Sequence, residues 1–221
     1  ISVGEHSFGM PARISCRVGV GKNGVLDIES EIEMSGSSYE KGSLILQGFI
    51  TGRYALEHPL TFTASICIEQ SYSYIDGDSA SSTGLYVLMS SLGRIPLRQD
   101  LAVTGSVDQF GRIQPIGGAN EKIEGFFDVC QARGLTGTQG VLIPATNVDD
   151  LMLAPRVVDA IAAGNFHVYP IATIDEGMEL LCGVVAGQRD ANDQWSKGSF
   201  NEAIQTNIER LHRLSGEGSD D

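Results

Sequence analysis

Apolar and polar residues change their spacing several times along this chain, and each change marks an element. Ala12 to Val20 and Val25 to Ile32 roughly alternate, with Gly21-Lys22-Asn23-Gly24 supplying turn chemistry between them. That pattern predicts a hairpin-like pair of strands. Tyr39 to Glu57 carries Leu44, Ile45, Phe49, Ile50 and Tyr54 at helical spacing, and Pro59 follows to end the helix. Leu60 to Glu69 then reads as a strand. Asp78 to Leu92 places Leu85, Leu88, Met89 and Leu92 on one helical face, with Gly93 set to close it.

Beyond Gly93 the elements are shorter. Asp100 to Val107 and Arg112 to Ile116 are predicted strands joined by Asp108-Gln109-Phe110-Gly111. Asn120 to Arg133 is a helix with Ile123, Phe126, Phe127 and Cys130 on one side. Gly140 to Ile143 is a buried strand ended by Pro144. Asp149 to Met152 and Pro155 to Ala163 predict short helices, Phe166 to Ile171 a strand, and Ile174 to Leu181 a further helix. Such interleaving implies a mixed domain whose helices cover sheet faces. Residues 1–186 form that domain, and the polar stretch 187–198 reads as a linker. Residues 199–214 form an amphipathic helix, opened by a Ser199/Glu202 capping box and striped with Ile204, Ile208 and Leu211. This helix could pack on the domain, meet another subunit, or belong to a following segment. The acidic end, 215–221, reads as a solvated, disordered tail.

Composition narrows the function classes. A formal charge of -13 argues against nucleic acid as the main partner, because phosphate binding needs clustered Lys and Arg. No apolar run approaches the length of a membrane helix, and the opening residues do not resemble a signal peptide. Cys16, Cys67, Cys130 and Cys182 are widely separated, with no CxxC pair, and read as small core residues of a protein in a reducing cytoplasm. One disulfide stays compatible with their placing. The histidines are equally scattered, which disfavours a metal site.

Two stretches carry candidate chemistry. Asp76-Gly77-Asp78-Ser79-Ala80-Ser81-Ser82 precedes an apolar-faced helix. If Asp78 caps that helix, Ser79 lies in its first turn, beside backbone N–H groups that lack an intrahelical partner. Such donors would stabilise an oxyanion near the hydroxyl. A capping loop is the plainer reading of this stretch alone. In Gly117-Gly118-Ala119-Asn120-Glu121-Lys122, Asn120 is a plausible N-cap, so Lys122 would stand where the helix dipole disfavours a cation. An ordinary lysine, with a pKa of about 10.4, is neutral in only about one molecule in 800 at pH 7.5. Burial would have to lower that value by roughly 2–3 units for Lys122 to act as a base. A solvated Lys122 paired with Glu121 or Glu124 is the plainer reading here too. Gly19-Val20-Gly21-Lys22-Asn23 lacks the upstream Gly and the Ser or Thr of a phosphate loop.

In combination these stretches resemble the proteolytic domain of the Lon protease family. The resemblance rests on Asp76-Gly77-Asp78-Ser79-Ala80-Ser81, Asp100-Leu101-Ala102-Val103-Thr104-Gly105-Ser106 and Gly111-Arg112-Ile113-Gln114-Pro115-Ile116-Gly117-Gly118-Ala119-Asn120-Glu121-Lys122, in that order. The Ser-to-Lys interval of 43 positions is the one the family uses. Glu33-Met34-Ser35-Gly36 and Val141-Leu142-Ile143-Pro144-Ala145 extend the likeness, which runs from about Val3 through Cys182.

The resemblance implies an α+β fold of the Lon proteolytic-domain type, akin to domain 2 of ribosomal protein S5, with mixed sheets covered by helices. It implies a Ser–Lys dyad in which Ser79 attacks a peptide carbonyl and neutral Lys122 takes its proton. Thr104 matches a threonine that hydrogen-bonds the lysine, and Asp76 an acidic position near the dyad. Many bacterial Lon enzymes carry Pro before the serine; Asp78 stands there in this chain, as in archaeal and some diverged bacterial homologues. Asp78 could pair with Lys122 and leave the site unarmed. The expected parent is an ATP-dependent, cytoplasmic endopeptidase of unfolded proteins, assembled as a homo-oligomeric, usually hexameric, ring. ATP and Mg would belong to an upstream AAA+ module, which agrees with a chain that starts at Ile1; this domain itself needs no cofactor. The alternative is a catalytically silent Lon-like scaffold or oligomerisation module.

Overall fold

The computed structural model describes residues 2–4, 6–55 and 57–216. After a small antiparallel pair, β1 (Ser2–Val3) and β2 (His6–Ser7), the chain enters β3 (Arg13–Val20) and β4 (Gly24–Asp27). The expected β3–β4 hairpin does not form. Instead β5 (Phe62–Glu69) inserts between them, antiparallel to β3 and parallel to β4. A parallel return needs a crossover, and α2 (Ser37–Tyr54) provides it. Nor does β4 run on to Ile32. It stops at Asp27, whose carboxylate caps α1 (Ile28–Glu31) through the Ser30 N–H and also accepts from the hydroxyls of Tyr39 and Ser43. On β5 the alternation is strict: Phe62, Ala64, Ile66 and Ile68 are buried and the residues between them are not.

The second sheet is parallel throughout, with β9 (Gly140–Pro144) between β6 (Leu101–Val103) and β10 (His167–Ile171). Every residue of β9 is buried, as expected for a central parallel strand covered on both faces. Its alternate side chains feed two different cores. Leu142 joins a large cluster with residues of β5, α2, α3 (Ser81–Gly93), α6 (Ile174–Cys182) and α7 (Phe200–Leu214). Val141 and Ile143 join a smaller cluster built from α4 (Ala119–Arg133), α5 (Pro155–Ala162) and Phe166. A separate two-stranded hairpin, β7 (Ser106–Val107) with β8 (Ile113–Gln114), interrupts the second sheet in chain order, between β6 and β9. Its turn is held by the Asp108 carboxylate, which accepts from the N–H groups of Phe110 and Arg112.

Several local expectations need correcting. Leu44 is 72% exposed; the buried stripe of α2 is Tyr39, Gly42, Leu46, Phe49, Ile50 and Tyr54. The segment after β9 is a 3-10 helix over Ala145–Asp150, earlier than the expected 149–152 helix, and Met152 is exposed. Residues 187–198 do not hang free. Ser196 and Gln188 bond to each other across the loop, and Trp195 lies beneath the guanidinium groups of both Arg189 and Arg53, 4.7 Å and 5.3 Å from its ring centre. The helix α7 then packs on α3, burying Phe200, Ile204, Ile208 and Leu211 in the larger core, so of its open fates it takes the first. Ser199 caps it through the Glu202 N–H, as the capping box predicts. The acidic residues 217–221 lie outside the described residues. All four cysteines are free thiols, of which Cys130 is buried and the others half-buried. Among the described residues no helix is long and apolar enough to cross a membrane.

Candidate active site

Ser79 sits just outside α3, not within its first turn. The N-cap of α3 is Ala80, with no side-chain bond, because Asp78 is occupied elsewhere. The Asp78 carboxylate accepts from the Ser106 hydroxyl at 2.7 Å, and its carbonyl accepts from the Ser81 N–H. A series of bonds stitches this loop to the backbone that follows β6. Gly105 N–H donates to the Ser79 carbonyl at 2.9 Å, and the Thr104 hydroxyl donates to the same oxygen at 3.4 Å. The Ser82 hydroxyl donates to the Gly105 carbonyl, and Val107 N–H to the Ser81 hydroxyl. These bonds explain why the expected 100–107 strand breaks in two. At Thr104 and Gly105 the backbone leaves its sheet to hold the serine loop. They also relocate Thr104, whose hydroxyl bonds to the carbonyl of Ser79 instead of Lys122.

Asp76 fixes the other end of the loop. Gly36 is the N-cap of α2 and has no side chain to offer. The Asp76 carboxylate takes over that task, accepting from the Tyr39 N–H of α2 at 3.4 Å and from the Gly77 N–H at 2.7 Å. Room for it depends on glycine, since a Cβ on Gly36 would come 2.4 Å from the Asp76 carboxyl carbon. Gly77 itself adopts φ 92°, a conformation that glycine enters without steric cost. The loop is thus pinned to the start of α2 before Ser79 and runs on into α3 after it. Among the described residues the N–H groups of Ser79 and Ala80 find no acceptor.

Lys122 approaches from the opposite side. The cap of α4 is Gly118, in the left-handed region at φ 67°, two positions before the expected Asn120. Asn120 is helical and its side-chain oxygen accepts from the Met152 N–H. Lys122 is therefore the fourth helical residue, its N–H donating to the Gly118 carbonyl. The neighbouring Ile123 and Phe127 are wholly buried in the smaller core, which holds the helix and aims Lys122 across the gap. Its Nζ donates to Ser79 Oγ at 2.8 Å. Burial lowers the lysine pKa below its ordinary value, while the charges of Asp78 and Glu121 push it back up. The expected Asp78–Lys122 pair is not made: Asp78 is bonded to Ser106, and Lys122 to Ser79.

The structure therefore joins Ser79, Lys122, Thr104, Asp78 and Asp76 in one site, with the last three holding backbone or neighbouring side chains. Ser82 and Ser106 belong to the same framework and were not singled out from the sequence. Each acts over 23 to 28 positions of chain, and no local pattern announces such a bond. Beside the loop opens a cleft of about 330 Å³, walled by Lys41, Ile45, Asp78, Ser106 and Phe110 among others. Among the described residues no group of three or more His, Cys, Asp or Glu side chains could hold a metal ion.

Residues 67–182 match the family model of the Lon protease (S16) C-terminal proteolytic domain. The chain is 44% identical over 210 residues, 95% of its length, to the Escherichia coli (strain K12) protein named "Putative Lon protease homolog". It is 45% identical over 204 residues, 91% of its length, to the protein of the same name in Haemophilus influenzae. In each case it spans 34% of the relative, about a third. It is also 32% identical over 170 residues, 71% of its length, to the archaeal Lon protease of Thermococcus kodakarensis, of which it spans 25%. On the family match and on these similarities, the chain belongs to the Lon protease family and carries its C-terminal proteolytic domain.

Proposed function

We propose that this domain is a serine endopeptidase in which Ser79 is the nucleophile and Lys122 its general base. The observation that carries the reading is the 2.8 Å approach of Lys122 Nζ to Ser79 Oγ, made by a half-buried lysine with a lowered pKa. Ser79 Oγ bonds to the peptide carbonyl carbon while its proton passes to neutral Lys122. The carbonyl oxygen becomes an oxyanion, to which the unpartnered N–H groups of Ser79 and Ala80 can donate. Collapse breaks the C–N bond, and Lys122 gives the leaving amine its proton. Water then repeats the sequence on the acyl-enzyme and regenerates Ser79. Asp76 and Thr104 keep the nucleophile loop in place, and the cleft beside Asp78 offers room for a substrate side chain.

The substrate we propose is unfolded protein, delivered by an ATP- and Mg-dependent module of the parent protein, within a cytoplasmic hexameric ring. The test is to supply an unfolded protein to the full-length parent, with and without ATP, and to compare wild type with Ser79→Ala and Lys122→Ala. Cleavage should require ATP and vanish in both variants. Cleavage that survives either substitution would sink the dyad. A wild type that cleaves nothing under any condition would point to a silent scaffold.

A further inference from the structure

Before entering β3 the chain crosses α4 at the root of Lys122. The crossing is a backbone contact. Gly9 N–H donates to the Glu121 carbonyl at 3.0 Å. A Cβ on Gly9 would come 2.7 Å from Lys122 Cα and 2.3 Å from the Glu121 carbonyl oxygen. A Cβ on Gly125, one turn along the helix, would come 2.1 Å from the Gly9 carbonyl oxygen. None of these separations is available to a real side chain, so strap and helix meet only because both positions are glycine.

Nothing else explains the two glycines. Neither has a positive φ. Gly125 lies inside a helix, where glycine is the poorest choice after proline. The strap meets α4 here through backbone, with the neighbouring Met10 65% exposed. The segment it covers is the first turn of α4, and helix ends open more readily than helix centres. That turn carries Lys122.

We propose that Gly9 and Gly125 form a backbone clamp that makes the N-terminal strap a positioning element for Lys122. The inference rests on the Ser–Lys reading above. With the strap seated, the first turn of α4 is held from outside while Ile123 and Phe127 hold it from the core. The lysine stem is thereby kept from water and its Nζ kept on Ser79. Lifting the strap would let the turn open and water reach the amine.

The test reads the lysine directly. The chain's lysines are Lys22, Lys41, Lys122 and Lys197, few enough to follow by NMR of isotopically labelled side chains, with Lys122→Arg assigning the signal of interest. Gly125→Ala gives α4 a better helix former, so the helix persists while the clamp is blocked. Its Lys122 midpoint should rise by about one unit, and cleavage at pH 7 by the full-length protein should fall about tenfold and recover as the pH is raised. Gly9→Ala should reproduce both effects. Gly52→Ala should change neither, since a Cβ there meets nothing within 4 Å. A Lys122 midpoint that stays at its wild-type value in both Gly9→Ala and Gly125→Ala overturns the clamp. The titration needs no substrate, so cleavage surviving Lys122→Ala would sink the dyad without touching this measurement.

Discussion

Ser79 and Lys122 meet at 2.8 Å, yet the two side chains hang from different hydrophobic cores. The serine loop runs into α3, whose Leu85, Leu88, Met89 and Leu92 are wholly buried in the larger cluster with α2, α6 and α7. The lysine stands on α4, whose Ile123 and Phe127 belong to the smaller cluster with α5. They are also held by different means. Ser79 is fixed by hydrogen bonds from Thr104 and Gly105 to its own carbonyl, in a loop with no side chain driven deep into the core. Lys122 is fixed by the packing of its helix and by the strap at Gly9. Strand β9 separates and joins the two regions, sending Leu142 one way and Val141 and Ile143 the other. The geometry of the site thus depends on how the two cores sit across one buried strand.

The largest expected effect comes from cutting the contact between the regions while leaving both cores intact. Lys122→Met keeps the stem and removes the amine, so cleavage should fall by at least about 10³-fold. Thermal denaturation should show no loss of stability at pH 7. The sign follows from the lowered lysine pKa, which makes the group bind fewer protons folded than unfolded. Its contribution to stability is therefore present above the ordinary lysine value of about 10.4 and lost as pH falls through the lowered one. At pH 7 the charged lysine is a burden that methionine lifts. A variant as unstable as a core truncation would show instead that Lys122 is structural.

A second substitution damages only one region. Phe127 is wholly buried in the smaller core, and Phe127→Ala should cost about 3–5 kcal/mol in chemical denaturation. Hydrogen exchange should then quicken in α4 and β9 and leave α3 protected. Equal quickening in both would mean that the two clusters unfold as one unit. The smallest effect concerns the charge placed between the regions. Asp78 raises the lysine pKa, so Asp78→Asn should lower it further and move the ascending limb of the pH–rate profile down by less than about one unit. An unmoved limb would show that Asp78 is only a partner of Ser106.

Much of this was legible in local patterns, for identifiable reasons. Period-two burial on β5 and the apolar faces of α3, α4 and α7 reflect side-chain geometry that each segment carries with it. Asp27 shows where legibility ended. Its place in an alternating stretch predicted a strand, while hydroxyls from α2 turned it into a helix cap. Leu44 failed in the same way: it fits a helical period, but the core lies on a neighbouring face. The caps of α3 and α4 were each misplaced by two positions, because Asp78 and Asn120 found partners far along the chain.

The order and spacing of Ser79, Thr104-Gly105 and Lys122 were readable from the residues alone, and with them the family. Residue types and intervals are properties of the chain before it folds. Only the tertiary structure decided that Lys122 reaches Ser79 and that Asp78 does not hold it. It also showed that Asp76 caps α2 and that Gly9 lies against the lysine's own backbone. Those outcomes depend on which distant groups burial brings within bonding distance, and no local window of sequence contains both partners.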